Sequence, residues 1–443
     1  MCAIRMALMA SALVASCANA LELPATVHKP SADVYAQPRL DAPRVMTLQR
    51  NTAVKISAQQ GLWYELQMPA GTPGYVRVND VRVDYAGAED GGANLRVLMG
   101  GKAGEGRVTE TAGVRGIDES DLKSAALDQA QLDTMAGYRV ADSVAAAHAG
   151  EQGWQATSVA YAGEAKPSRN SGSSGSESAS SQAASAQNAS SMLGTLGQQF
   201  GSLFGTASKV IPKSEEELSA EELALGPEIA GRVLGARPLW NDADAQQRVN
   251  LVGRWMASQT SRPELPWSFG VIDTPEVNAF AAPGGYILVT RGLYELLASD
   301  GEVAAVLGHE ISHCVQRDHY NVIRKQEAAT AGKDLALSKV EAGNDSVAGT
   351  YARQYAEKHG ATIMLTSLDR GAEYRSDEAA EIYLARAGMN PLALYAVLQK
   401  MAALGIQSAS LAQLYKTHPA LDDRMDRIDR RGHDKLAAYT TRE

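Results

Sequence analysis

Between residues 24 and 85 apolar and polar positions alternate in short runs broken by turn residues: "ADVYAQP", "RVMTLQR", "AVKISAQ", "LWYELQM", "GYVRVND" and "VRVDY". A period of two with such interruptions predicts a small all-β module. In 86–165 the pattern changes. "GIDESDLKSA" and "VADSVAAAHAG" predict short helices and "WQATSVAYA" a strand. The result is a small mixed α/β region to which the sequence assigns no role. Residues 166–210 are expected to be a flexible linker. Their Ser-, Ala- and Gly-rich start, "SRNSGSSGSESASSQAASAQNASS", cannot bury enough apolar surface to offset the entropy of ordering it. Leu193, Leu196, Phe200, Leu203 and Phe204 then recur at helix-like spacing, which fits docking onto the next domain. From 214 to 440 helical periodicity dominates, and "YILVT" at 286–290 is the clearest strand. The predicted class is α+β: a mainly helical domain with a small β-sheet, preceded by a small all-β module.

The N-terminus, "MCAIRMALMASALVASCANALELP", sets Arg5 before an apolar run and small residues at Ala18-Asn19-Ala20. That is the layout of a secretory signal over 1–20, too short to span a bilayer, and it predicts the periplasm. Val14-Ala15-Ser16-Cys17 also resembles a lipobox, with Cys17 as the lipidated residue. Both readings stay open, and a membrane is an expected partner only under the second. Cys2, Cys17 and Cys314 are the only cysteines, so removal of the signal leaves no disulfide framework. A net charge of −9 without a Lys/Arg cluster argues against nucleic-acid binding.

The chemistry concentrates in "GHEISHCVQRDH", residues 308–319. On a helix turning about 100° per residue, His309 and His313 share one face and can reach one ion, with Glu310 beside them. Ser299 and Glu302 have capping-box spacing, which supports the helix. His319 has the spacing of a third ligand in the pattern HExxHxxGxxH, but Gln316 stands where that pattern needs glycine. If the helix continues, His319 lies about 15 Å along the axis from His309 and is a bystander. A better third ligand is Glu373, with Asp377 one turn on and able to orient a ligating histidine.

Three stretches together, "NAFAAPGGYILVTRGLYELLASDGEVAAVLGHEISH" (278–313), "RGAEYRSDEAAEIYLARAGMNP" (370–391) and "THPALDDRMDRI" (417–428), resemble the gluzincin family of zinc metallopeptidases. That family includes the CAAX prenyl protease, the heat-shock protease HtpX and soluble bacterial envelope relatives. The resemblance covers roughly 215–430. It implies a zincin-type metallopeptidase domain over 214–440 with one Zn2+ per chain on His309, His313 and Glu373, and Glu310 as general base. It further implies Asp377 and Arg424 as supporting residues. His418 is expected to cap the next helix at Pro419, and either to aid catalysis or to latch the metal. Ser376 replaces a usual Ala, and the polar stretch at 324–360 resembles the soluble branch. The strand "GGYILVT" is expected at the sheet edge, where Asn278, Gly285, Tyr286 and Ile287 would bind an extended substrate. The implied partners are unfolded polypeptides. The 24–85 module resembles a bacterial SH3-like barrel through Trp63-Tyr64 and Gly74-Tyr75-Val76, which implies cell-wall or envelope-protein ligands; the same aromatics could instead be barrel core.

Overall fold

The computed structural model describes residues 22–69, 71–84, 119–164, 215–331, 368–405, 408–431 and 435–442. The signal expected at 1–20 with Cys17, the linker at 166–210 and most of the polar stretch at 324–360 lie outside the described residues. The chain divides into two units, one built on the described residues up to 84 and the other on those from 119 onward save 403–406. Among the described residues no helix is long and apolar enough to cross a membrane.

The first unit is a seven-stranded antiparallel sheet. Its strands are β1 (Leu23–Val27), β2 (Ser31–Tyr35), β3 (Arg44–Gln49), β4 (Ala53–Gln60), β5 (Trp63–Leu66), β6 (Gly74–Arg77) and β7 (Val81–Val83), in the order β3-β2-β6-β5-β4-β1-β7. The alternation is realised directly: Leu23, Ala25 and Val27 point inward from β1. The expected barrel is not formed, because the end strands β3 and β7 do not pair and the sheet stays open. β3 is exposed along almost its whole length and β7 has only three residues, so neither offers a partner for closure. Trp63, Tyr64 and Tyr75 are buried. Trp63 packs edge-to-face on Tyr35 at 5.4 Å, which makes these aromatics core residues.

The second unit opens with α1 (Glu119–Ser124), α2 (Gln129–Gly137) and α3 (Asp142–Glu151). The strand expected in "WQATSVAYA" is absent. The segment is tied down by single bonds instead: Thr157 N–H donates to Arg386 O at 2.7 Å and Arg386 Nε donates to Val159 O at 2.6 Å. Next come α4 (Glu215–Ala236) and α5 (Ala243–Ala257). Leu132 and Met135 of α2 share one core with Leu225 and Ile229 of α4 and with Phe280 and Leu288 of the sheet.

That sheet has three strands, β8 (Ser268–Ile272), β9 (Ala279–Ala282) and β10 (Tyr286–Thr290), in the order β8-β10-β9. The placement corrects the expectation that "YILVT" is an edge. β10 is central, parallel to β8 and antiparallel to β9. Its uninterrupted apolar run suits a strand covered on both faces. The outer side of β8 is closed by α5 side chains: Gln246 exchanges two bonds with the Val271 backbone and Asn250 donates to Phe269 O. β9 is left at the other edge.

After α6 (Arg291–Tyr294), the helix α7 (Asp300–Val315) runs through the middle of the unit, buried from Glu302 to Val315. It is followed by α8 (Asp318–Ala331), α9 (Arg370–Arg386), α10 (Leu392–Ala403), α11 (Leu414–Thr417) and α12 (Leu421–Arg431). Gly308 faces α5 and α9: a Cβ there would stand 3.0 Å from Met256 Cε and in ordinary contact, 3.4 Å, with Ala380 Cα. The start of α7 is fixed as its spacing predicts. Ser299 Oγ accepts from Glu302 N–H at 3.2 Å, and the Glu302 carboxylate accepts from Ala298 N–H at 2.7 Å. Glu302 is also half of a buried ion pair with Lys400 of α10, at 2.7 Å. In chemical denaturation, Ser299→Ala is expected to lower stability by about 1 kcal/mol. Lys400→Ala, which strands a buried carboxylate, should cost about 3 kcal/mol.

Candidate metal centre

His309, Glu310 and His313 project from α7, and Glu373 and Asp377 from the first two turns of α9. Asp369 caps α9, accepting from Ala372 N–H at 2.9 Å, and so fixes where Glu373 falls. His309 Nε2 and His313 Nε2 lie 3.3 Å apart. Glu373 Oε2 is 3.6 Å from the first, and Oε1 is 3.7 Å from the second. Donors on a tetrahedral ion with bonds of about 2.1 Å stand roughly 3.4 Å apart. The three side chains therefore have the spacing that one such ion requires. Glu373 Oε1 is buried with no hydrogen-bond partner, which also fits a role as a metal donor.

The outer ring nitrogens are held. His309 Nδ1 lies 2.9 Å from Asp377 Oδ1, and Arg424 of α12 grips the same carboxylate through Nε at 3.0 Å and Nη2 at 2.5 Å. Arginine has no acceptor, so the Nδ1 proton goes to Asp377 and Nε2 points inward, able to bind a metal once its own proton leaves. His313 Nδ1 donates to Asp318 Oδ2 at 2.9 Å, with Ser376 Oγ 3.1 Å from the same nitrogen. Ser376, the departure from the family pattern, thus sits against the site.

Burial would raise Asp377, but Arg424 and His309 outweigh it and hold the carboxyl well below the usual range. Burial likewise works against Glu373, whose carboxyl is held far down by His418, His309 and His313. For His309, burial and Arg424 pull downward, yet Asp377 and Glu373 prevail and raise it to about 9.

His418 joins the cluster as a fourth donor, its Nδ1 2.6 Å from Glu373 Oε2 and its ring 5.5 Å from that of His309. It ends α11, with its N–H donating to Leu414 O, rather than capping the next helix. A small cavity opens beside these groups. Ala279, Phe280 and Ala281 of β9 line it, with Glu310, Glu373, His418 and His319.

The position of His319 departs from expectation. α7 does not continue past Gln316: Arg317 takes a left-handed φ of 57° and α8 starts at Asp318. The chain turns back, and the His319 ring comes within 5.8 Å of that of His313. Burial and the neighbouring His313 push His319 down to about 4, so it is neutral, and its buried Nδ1 has no partner. It lines the cavity but stands outside the four-donor cluster. The same turn delivers Asp318, which the sequence reading missed. On a continuous helix Asp318 would lie about 140° round from His313.

Of the residues expected to bind substrate, Asn278 precedes β9 and is buried, with neither amide atom partnered. Gly285, Tyr286 and Ile287 belong to the turn and the central strand, away from the open edge.

With this geometry in hand, comparison with known proteins points the same way. The sequence model of Peptidase family M48 matches residues 243–432. The chain is 26% identical over 213 residues to the Beta-barrel assembly-enhancing protease of Escherichia coli (strain K12), covering 46% of this chain and 42% of the relative. It is 27% identical over 173 residues to the Metalloprotease LoiP of the same organism, covering 39% and 64%. It is 30% identical over 156 residues to the Mitochondrial metalloendopeptidase OMA1 of Arabidopsis thaliana, covering 35% and 30%. The chain thus spans less than half the length of the assembly-enhancing relative. Over these residues the chain is similar to Peptidase family M48 and to proteins named as proteases, which supports a metallopeptidase.

A chelator-competition titration checks the site. Ala at His309, His313 or Glu373 should abolish metal uptake, and Asp377→Asn should weaken it by about 10–100-fold. Because His309 is raised to about 9, metal must displace its proton at lower pH. Apparent affinity should therefore climb from neutral pH and level off near that value.

Proposed function

We propose that the chain is a zinc-dependent endopeptidase that cuts unfolded or misassembled proteins of the cell envelope, with one Zn2+ held by His309, His313 and Glu373. The convergence of two inward Nε2 atoms and the Glu373 carboxylate beside Glu310 carries this reading. Bound zinc supplies Lewis acidity, lowering the pKa of water and polarising a carbonyl. Glu310 accepts the proton that the attacking water gives up and passes it to the leaving amine. β9 offers its edge to an extended backbone, which reads shape more than sequence and suits unfolded substrates. Asn278, at the head of that strand, supplies a polar group. The edge strand moves this role from 285–287 to 279–282. The periplasm follows from the expected signal, and the assembly-enhancing relative supports envelope proteins as substrates.

A second reading is a chaperone or assembly factor whose metal site is latched. It is favoured by His418, whose ring nitrogen lies within 4.8 Å of the other three donor atoms and could fill the position water needs.

Casein cleavage by purified protein separates the two. Under the protease reading, Glu310→Gln keeps its zinc and loses at least about 100-fold in rate. A latch predicts that His418→Ala cleaves faster than wild type; unchanged or slower cleavage rejects it.

A further inference from the structure

We infer that Glu222 and Arg317 are positioning residues for the metal centre: they hold the left-handed turn that places Asp318 on His313. The inference rests on the metal-site reading above.

Arg317 occupies the position after a helix cap where glycine or asparagine normally takes a positive φ. Its side chain is anchored on α4. Nε donates to Glu222 Oε2 at 2.9 Å and Nη2 donates to Ser219 Oγ at 2.8 Å. Glu222 is fully buried and also takes both arms of Arg262, at 3.0 and 2.8 Å. Arg262 Nη1 in turn donates to Cys314 O at 3.0 Å, in the last turn of α7. Gly284 N–H donates to Glu222 Oε1 at 3.3 Å, in the turn between β9 and β10. One carboxylate therefore ties together the end of the metal-bearing helix, the residue that breaks it and the turn behind the cavity wall. Asp318 follows Arg317 directly and accepts from His313 Nδ1 at 2.9 Å. None of α4 lies within the residues that the family model matches.

If the side-chain bonds of Arg317 themselves supported metal binding, alanine and glycine would weaken it alike, since both lose those bonds. If the bonds act by holding backbone geometry, the two variants differ, because glycine adopts a positive φ freely and alanine does not.

The test uses the full chain stripped of metal, titrated with Co2+ by visible absorption and with Zn2+ against a chromogenic chelator. Arg317→Ala and Glu222→Gln are expected to weaken affinity by about tenfold or more and to alter the Co2+ spectrum. Arg317→Gly should stay close to wild type. Arg317→Ala combined with Asp318→Asn should bind no more weakly than Asp318→Asn alone, because both act through one link. Equal affinities for the alanine and glycine variants, or losses that add in the double variant, would overturn the inference. Should Arg317→Ala not fold, Glu222→Gln with and without Arg317→Gly makes the same comparison: recovery by glycine supports the inference and no recovery overturns it. Wild-type protein that takes up neither metal would overturn the metal-site reading itself, a result distinct from tight binding that the variants leave untouched.

Discussion

Buried negative charge is the constraint from which the rest of the second unit follows. Glu310, Asp318, Glu373 and Asp377 are all buried around two histidines. Arg424 is the buried guanidinium among them. Ionised groups held away from water cost several kcal/mol each unless paired. The observed pairings answer this for three of the four. Asp377 takes Arg424 and His309, Asp318 takes His313, and Glu373 takes His418. What remains is an excess of carboxylate where two imidazole Nε2 atoms converge, with one Glu373 oxygen unpartnered. A divalent cation at that point would offset the excess.

The part of this arrangement that local spacing controls was legible in the sequence. Two histidines four apart on a capped helix must share a face, and so must Glu373 and Asp377. The features that escaped depend on a single backbone residue or on long-range pairing. Glycine is the usual sign of a left-handed turn, and its absence at 316 suggested an unbroken helix. An arginine one position later adopts that conformation at a cost of about 1 kcal/mol, offset by contacts from α4 nearly a hundred positions upstream. His319 was misplaced and Asp318 missed for that reason. The expected barrel and the expected edge strand failed on the same ground. An alternating or apolar run specifies which faces are buried, not which neighbour it pairs with.

Strand order then gives the cavity its direction. β8 ends in side-chain amides of α5 and β10 is paired on both sides, so β9 is the edge that remains. That strand lines the same cavity as Glu310 and Glu373. A backbone laid along β9 therefore passes the metal donors, whereas one laid along β10, as the sequence pattern suggested, would have no free groups to meet.

The limits of the functional unit are set by charge satisfaction more than by sequence similarity. The family match begins at residue 243, yet Arg262 and Arg317, which lie inside it, meet their carboxylate at Glu222, outside it. Without that carboxylate the buried Arg262 would keep Cys314 O but lose its counter-charge, and the half-buried Arg317 would lose its ion pair at the end of α7. A fragment cut at the edge of the match would thus retain every metal donor and lose the partner that closes the turn behind His313. On this account α4 belongs to the metal centre as much as α7 and α9 do.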